Sequence, residues 1–113
     1  PQAFPFFIHV DGEIAGFVII DRKGSDGFVD FNVAQFFILR KFKKQGIGRQ
    51  AAYHCFNQFK GIWEVMVLPQ NQGAYQFWKK IISDYTEQHF QEYTKRVTHL
   101  LNCEKNIFRF QSR

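Results

Sequence analysis

Ile38-Leu39-Arg40-Lys41-Phe42-Lys43-Lys44-Gln45-Gly46-Ile47-Gly48-Arg49 is the stretch on which the reading of this chain turns. Upstream of it, Phe28 to Leu39 is apolar and aromatic, the pattern of a long strand. Downstream, Ala51, Ala52, Cys55, Phe56 and Phe59 recur at helical spacing from Gly48 to Phe59, and Lys60-Gly61 supplies a basic stop followed by glycine. A strand, a basic loop with Gly-x-Gly, and a helix thus follow one another. The start of a helix has free backbone N–H groups and the positive end of its dipole. Glycines let the backbone come close to a phosphate, and consecutive N–H groups can form an anion nest. Flanked by lysines and arginine, the loop predicts a diphosphate site. It is not a P-loop, because no Lys-Ser/Thr follows its second glycine. It is not a dinucleotide fingerprint either, since that needs three glycines after a buried parallel strand.

The charge pattern agrees. The chain carries a formal +5. From Phe31 to Trp63 there is no Asp or Glu, yet Arg40, Lys41, Lys43, Lys44, Arg49 and Lys60 all fall there. A local excess of this kind points to an anionic ligand: a nucleotide, a phosphate or nucleic acid. The length, 113 residues, is that of one domain. Fifteen Phe, four Tyr and two Trp give it enough ring volume for a core despite its size. Cys55 and Cys103 have no CxxC spacing and the four His no metal-ligand spacing, so no metal is expected, and a cytoplasmic location is. No apolar run is long enough to span a membrane.

Working outward, Phe4 to Val10 and Ile14 to Ile20 read as strands joined by Asp11-Gly12, a strong hairpin signal. Lys23-Gly24-Ser25-Asp26-Gly27 is a second turn into the long strand. Beyond the helix, Ile62 to Leu68 reads as a short strand ended by Pro69. Asn71 can cap a second helix, Gln72 to Ile82, with the stripe Ala74, Phe77, Trp78 and Ile81. For residues 85–101 the pattern suits a helix through Phe90, Tyr93, Val97 and Leu100, or a strand from Tyr85 to Val97 paired with Asn106 to Gln111; the β-like Ile107, Phe108 and Phe110 favour the strand pair. The expected fold is a single α/β (α+β) domain over residues 1–113, a mixed, mostly antiparallel central sheet with flanking helices.

With these elements in place the chain resembles the GNAT superfamily of N-acetyltransferases. The family's motif is an Arg or Gln, two residues, Gly, any residue, then Gly or Ala, between a long strand and a helix. Here it reads Lys43-Lys44-Gln45-Gly46-Ile47-Gly48, with Lys at the first position. A second family pattern, Asn-x-x-Ala-x-x-Phe-Tyr, reads Asn71-Gln72-Gly73-Ala74-Tyr75-Gln76-Phe77-Trp78. The resemblance runs from about Phe4 to Ile82. It implies acetyl-coenzyme A as co-substrate in a V-shaped opening between the third strand and the strand Ile62 to Leu68. The pantetheine arm would lie along Ile38 and near Asn71, and the pyrophosphate on the N–H groups from Lys44 to Arg49. An amine would attack the thioester directly.

Trp78 stands where many relatives carry the Tyr that protonates the leaving thiolate, so Tyr75, one turn earlier, is the substitute to examine. Asp30 is the candidate base, with Glu64 as the other carboxylate on a central strand. The family's opening strand and helices are not seen before Phe4; the N-terminal part has been removed, or the acceptor site is incomplete or supplied by another chain. A homodimer is an expected assembly. Two other readings stay open: a coenzyme A-binding module without catalysis, and a basic nucleic-acid-binding domain.

Overall fold

Asp11 and Gly12 both have positive φ, 50° and 81°, as a two-residue hairpin loop of type I′ requires. They join strand β1 (Phe4–Val10) to β2 (Glu13–Gly24), with Val10 opposite Glu13. A second reversal at Ser25-Asp26 leads into β3 (Gly27–Ile38). The chain then passes a 3₁₀ turn at Arg40–Phe42, helix α1 (Ile47–Gln58), strand β4 (Gly61–Val67), helix α2 (Gln72–Thr86), and strands β5 (Gln91–Val97) and β6 (Cys103–Ser112). The computed structural model describes residues 3–97 and 103–113.

The strands form one sheet in the order β1-β2-β3-β4-β6-β5. Every neighbouring pair is antiparallel except β3 and β4, which run parallel and meet in only three residue pairs: Phe31 with Trp63, Asn32 with Glu64, and Val33 with Val65. The divergence has a local cause. Ile20 faces Val33 but Ile19 faces Gln35, so Ala34 is an extra residue in β3. Such a bulge bends its strand and sharpens the twist. It sits one residue past the last pair with β4, where the two strands part.

Alternation along β4 sorts its two faces. Trp63, Val65 and Val67 join Phe108 and Phe110 of β6 beneath Ala52, Cys55 and Phe56 of α1 and Trp78, Ile81 and Ile82 of α2. Phe56 meets Trp63 edge-on at 5.0 Å and Phe110 at 4.8 Å. Burial pushes the Cys55 thiol up to about 11, so almost none of it is the reactive thiolate at neutral pH. Iodoacetamide at pH 7.5 should therefore leave Cys55 unmodified in the native protein and label it only after denaturation, as mass spectrometry of the peptides would show.

The other face of β4 presents Glu64, only 1% exposed. Its carboxylate accepts from Ser25 N–H (2.7 Å), Ser25 Oγ (3.3 Å), Tyr93 Oη (3.4 Å) and Arg109 Nη1 (2.6 Å). The β2–β3 hairpin tip thus folds across the sheet as far as β5, where Asp26 also pairs with Lys95. Beside it, Asn32 Nδ2 donates to Asp21 Oδ1 at 2.9 Å.

One expectation needs correction. The strand foreseen from Tyr85 begins only at Gln91, because α2 continues to Thr86. Tyr85 packs on Tyr53 and Phe56, each at 5.0 Å, and donates to Asn57 Oδ1 at 2.8 Å. Helix geometry delivers these contacts; a strand there would point Tyr85 elsewhere. The helix stops at Glu87 and Gln88, both at positive φ, with Gln88 N–H bonded to Ser83 O at 2.9 Å. The paired strands foreseen for the tail do form, as β5 and β6. Residues 98–101 of the expected segment lie outside the described residues.

Candidate functional site

Past Val33 and Val65 the sheet opens, and a cleft of about 820 Å3 lies between the end of β3, the basic loop and the first turns of α1 and α2. Leu39 N–H donates to Ala15 O at 2.7 Å, toward β2. Backbone groups of successive strand residues point to opposite edges, so Phe36 and Ile38 turn theirs toward the opening. β4 takes none of them there.

The loop is shaped for its place at the helix start. Lys44 and Gly46 both adopt left-handed backbone, φ 64° and 78°, and Gln45 Nε2 ties the turn to Lys41 O at 3.0 Å. Gly46 is the N-cap of α1 and supplies no side chain to it. The first helical bond is Gln50 N–H to Gly46 O, 3.0 Å. The N–H groups of Ile47, Gly48 and Arg49 are thereby left without acceptors inside the helix. Gly48 has a different reason for being glycine: a Cβ there would lie 3.0 Å from the Phe77 ring, so its lack of a side chain lets α1 start hard against α2. Lys43, Lys44 and Lys80 line the cleft, which makes its mouth cationic.

Arg49 also lines the cleft, but its guanidinium is committed elsewhere. It bonds Asp84 Oδ2 and Tyr53 Oη, both at 2.9 Å. The hydrogen bond to Asp84 raises the Arg49 pKa, and the same bond holds the Asp84 carboxyl below its ordinary value. Arg49 therefore ties α1 to α2 and brings only its backbone to the loop's anion-facing side. Asn71 lines the cleft and caps α2, its Oδ1 accepting Ala74 N–H at 3.0 Å.

The two candidate proton carriers are not brought to this place. Asp30 lies eight residues before Ile38, about 26 Å along a strand, and its Oδ2 accepts Ile62 N–H at 2.9 Å. Tyr75 turns away from the cleft lining onto Phe108, with its hydroxyl bonded to Glu92 and accepting from Lys79 Nζ at 3.3 Å. Glu64 sits beneath the hairpin tip. Among the described residues the cleft lining holds no Asp, Glu, His, Cys or Tyr. Trp78, singled out in the sequence, does line the cleft, whereas Phe36, Phe77 and Lys80 line it without having been read as site residues. The stripe of α2 that reads as core does both jobs, and its spacing alone does not separate them.

A sheet opened at one parallel pair, with a basic helix start facing the gap, is the arrangement that the resemblance in the sequence implied. The model of the Acetyltransferase (GNAT) family matches residues 1–82, and the chain belongs to that family. Three solved structures show the same fold. A GNAT-family protein of Desulfovibrio desulfuricans superposes with TM-score 0.70 at 10% identity, over 98% of this chain and 70% of its own. A variant of the spermidine N-acetyltransferase of Vibrio cholerae gives 0.66 at 10% identity, over 97% and 66%. A GNAT-family protein of Bacteroides thetaiotaomicron gives 0.62 at 16% identity, over 100% and 64%. The chain thus spans about two thirds of the length of each. Comparison with curated protein sequences finds no match. Among the described residues no helix is long and apolar enough to cross a membrane, and no group of three or more His, Cys, Asp or Glu could hold a metal ion.

Proposed function

We propose that this chain binds acetyl-coenzyme A in the cleft and passes the acetyl group to an amine by direct attack, in the cytoplasm. The observation that carries the reading is that two sets of backbone donors, the open edge of β3 and the free start of α1, face one cleft. In this reading the N–H groups from Lys44 to Arg49 hold the pyrophosphate, with charge from Lys43, Lys44 and Lys80. The pantetheine arm follows β3 at Ile38 and passes Asn71. The backbone N–H groups of Phe36 and Ile38 polarise the thioester carbonyl. The amine nitrogen attacks the carbonyl carbon, the C–N bond forms, the C–S bond breaks, and the coenzyme leaves as thiolate. Since Asp30 and Tyr75 lie outside the cleft, the amine's proton passes to water in this scheme.

Calorimetric titration with acetyl-coenzyme A, beside adenosine 3′,5′-bisphosphate, tests the reading. Saturable binding of the whole coenzyme, weaker for the fragment, is expected; a folded chain that takes up neither sinks it. Lys43→Glu should weaken binding several-fold at low salt and by much less near molar salt, because exposed charges are screened within a few ångström there. A salt-independent loss would remove the charge role from Lys43. Thiol release with a panel of amines separates transfer from binding alone, and the spermidine N-acetyltransferase among the fold neighbours puts a polyamine first in that panel. Sedimentation of the same preparation tests a homodimer. A second reading, a coenzyme A-binding module without transfer, draws on the lack of Asp, Glu, His, Cys or Tyr among the described residues of the cleft lining.

A further inference from the structure

The cleft stops short of the place where the sheet divides. β3 and β4 part after the Val33–Val65 pair, yet the cleft lining begins on β3 only at Phe36 and, among the described residues, takes nothing from β4. Side chains fill the interval. Trp78 of α2 meets Phe36 edge-on with ring centres 5.0 Å apart, and Phe77 lies 5.7 Å from Phe36 and 5.0 Å from Trp78. The three rings pack as one block. Trp78 is only 6% exposed, and it shares the buried cluster of Val65 and Val67 on β4, against which Phe36 and Phe77 also pack. Phe36 and Trp78 therefore belong to the core on one side and to the cleft wall on the other. The block has no room to shift toward α1, because a Cβ at Gly48 would already lie 3.0 Å from the Phe77 ring. The rings close the inner end of the cleft.

We propose that the Phe36–Trp78 contact sets the length of the acyl group this domain accepts, admitting acetyl and turning away longer chains. The inference rests on the acetyl-transfer reading above. In that reading the coenzyme enters past the loop at Lys44 to Arg49, follows β3 backward from Ile38 and sets its thioester carbonyl against the N–H groups of Phe36 and Ile38. The acyl group is then the foremost part of the ligand, and the ring block is what it meets next along β3. A methyl group ends there. Each further methylene has to enter space that rings already fill at the density of a protein interior, and overpacking of that kind is unfavourable. A pocket with room behind it would do the reverse, since each methylene taken out of water tightens binding about four-fold. The sign of the chain-length effect therefore reports whether the wall is closed.

The test compares the affinities of acetyl-, butyryl- and hexanoyl-coenzyme A by calorimetry, so it needs no knowledge of the acceptor amine. Wild type should bind the hexanoyl ester at least about ten-fold more weakly than the acetyl ester, with the butyryl ester between them. Phe36→Ala removes the ring and keeps the backbone N–H. It should bring the hexanoyl ester level with the acetyl ester or make it the tighter of the two. A merely structural defect would weaken all three esters alike and leave their ratios as they were. Trp78→Phe opens the same wall by less, serves if Phe36→Ala does not fold, and should move the butyryl-to-acetyl ratio in the same direction. Wild type that binds the hexanoyl ester as tightly as the acetyl ester, or more tightly, overturns the proposal and leaves the cofactor site standing. So does a ratio that the folded variants leave unchanged. If neither variant folds, the wild-type series alone decides. Failure of folded wild type to bind coenzyme A or any of the esters overturns the acetyl-transfer reading itself.

Discussion

Trp63→Ala should lower the stability of the fold by about 3–5 kcal/mol, the range for deleting a large buried ring. Trp63 is 0% exposed and sits on the one seam that joins the two antiparallel parts of the sheet. Its ring lies 5.1 Å from Phe31, 5.0 Å from Phe56 and 6.5 Å from Phe110, so its loss opens a cavity shared by β3, α1 and β6. The indole also holds Phe59 O, where the chain leaves α1 for β4. A domain of this size has about 5–15 kcal/mol in total. The melting temperature should drop by roughly 15–25 °C in calorimetry. A drop of only a few degrees would mean that the neighbouring rings close over the gap.

Gly46→Asp should abolish coenzyme binding, with affinity at least about a hundred-fold lower, while the fold persists. The two parts of this expectation have separate causes. Nothing lies within 4 Å of where a Cβ would stand, and φ is +78°, a conformation that Asp adopts more readily than most residues. The added carboxylate sits at the N-cap of α1, where acidic side chains accept from the helix's own N–H groups. It would occupy those donors and repel a diphosphate at the same point. Gly46→Asn keeps the shape without the charge and should lose much less. Equal losses in the two variants would assign the effect to backbone strain; unchanged affinity in Gly46→Asp would remove the loop from the binding site altogether.

Much of this was legible in the sequence, and the reasons can be named. The Asp11-Gly12 turn, the apolar runs on either side of it and the strand–loop–helix unit around Gly46 are local signals, set within a few residues. The long strand foreseen from Phe28 to Leu39 is β3, and the helix foreseen from Gly48 to Phe59 is α1. What stayed hidden depends on distant partners or on missing punctuation. The end of α2 has no glycine to announce it; Glu87 and Gln88 take the left-handed turn instead. Glu64 reads as a carboxylate on a central strand, but its donors come from Ser25, Tyr93 and Arg109, none of them near in sequence. Arg49 reads as a phosphate ligand because it ends the loop, yet Asp84, thirty-five positions on, takes its guanidinium. Asp30 and Tyr75 were chosen by position along their elements. Where each side chain goes is decided by the β4 N–H it meets in one case and by Glu92 and Lys79 in the other.

The hairpin tip that crosses the sheet has a consequence for the opening at its other end. The sheet consists of two leaves, β1-β2-β3 and β4-β6-β5, that touch through three residue pairs. Left to themselves, leaves joined so narrowly would swing. They are tied across one face: Ser25 N–H bonds the buried Glu64 of β4, and Asp26 pairs with Lys95 of β5. The gap is therefore spread before any ligand arrives. A molecule entering it meets a preorganised wall and spends little of its interaction energy on ordering the protein.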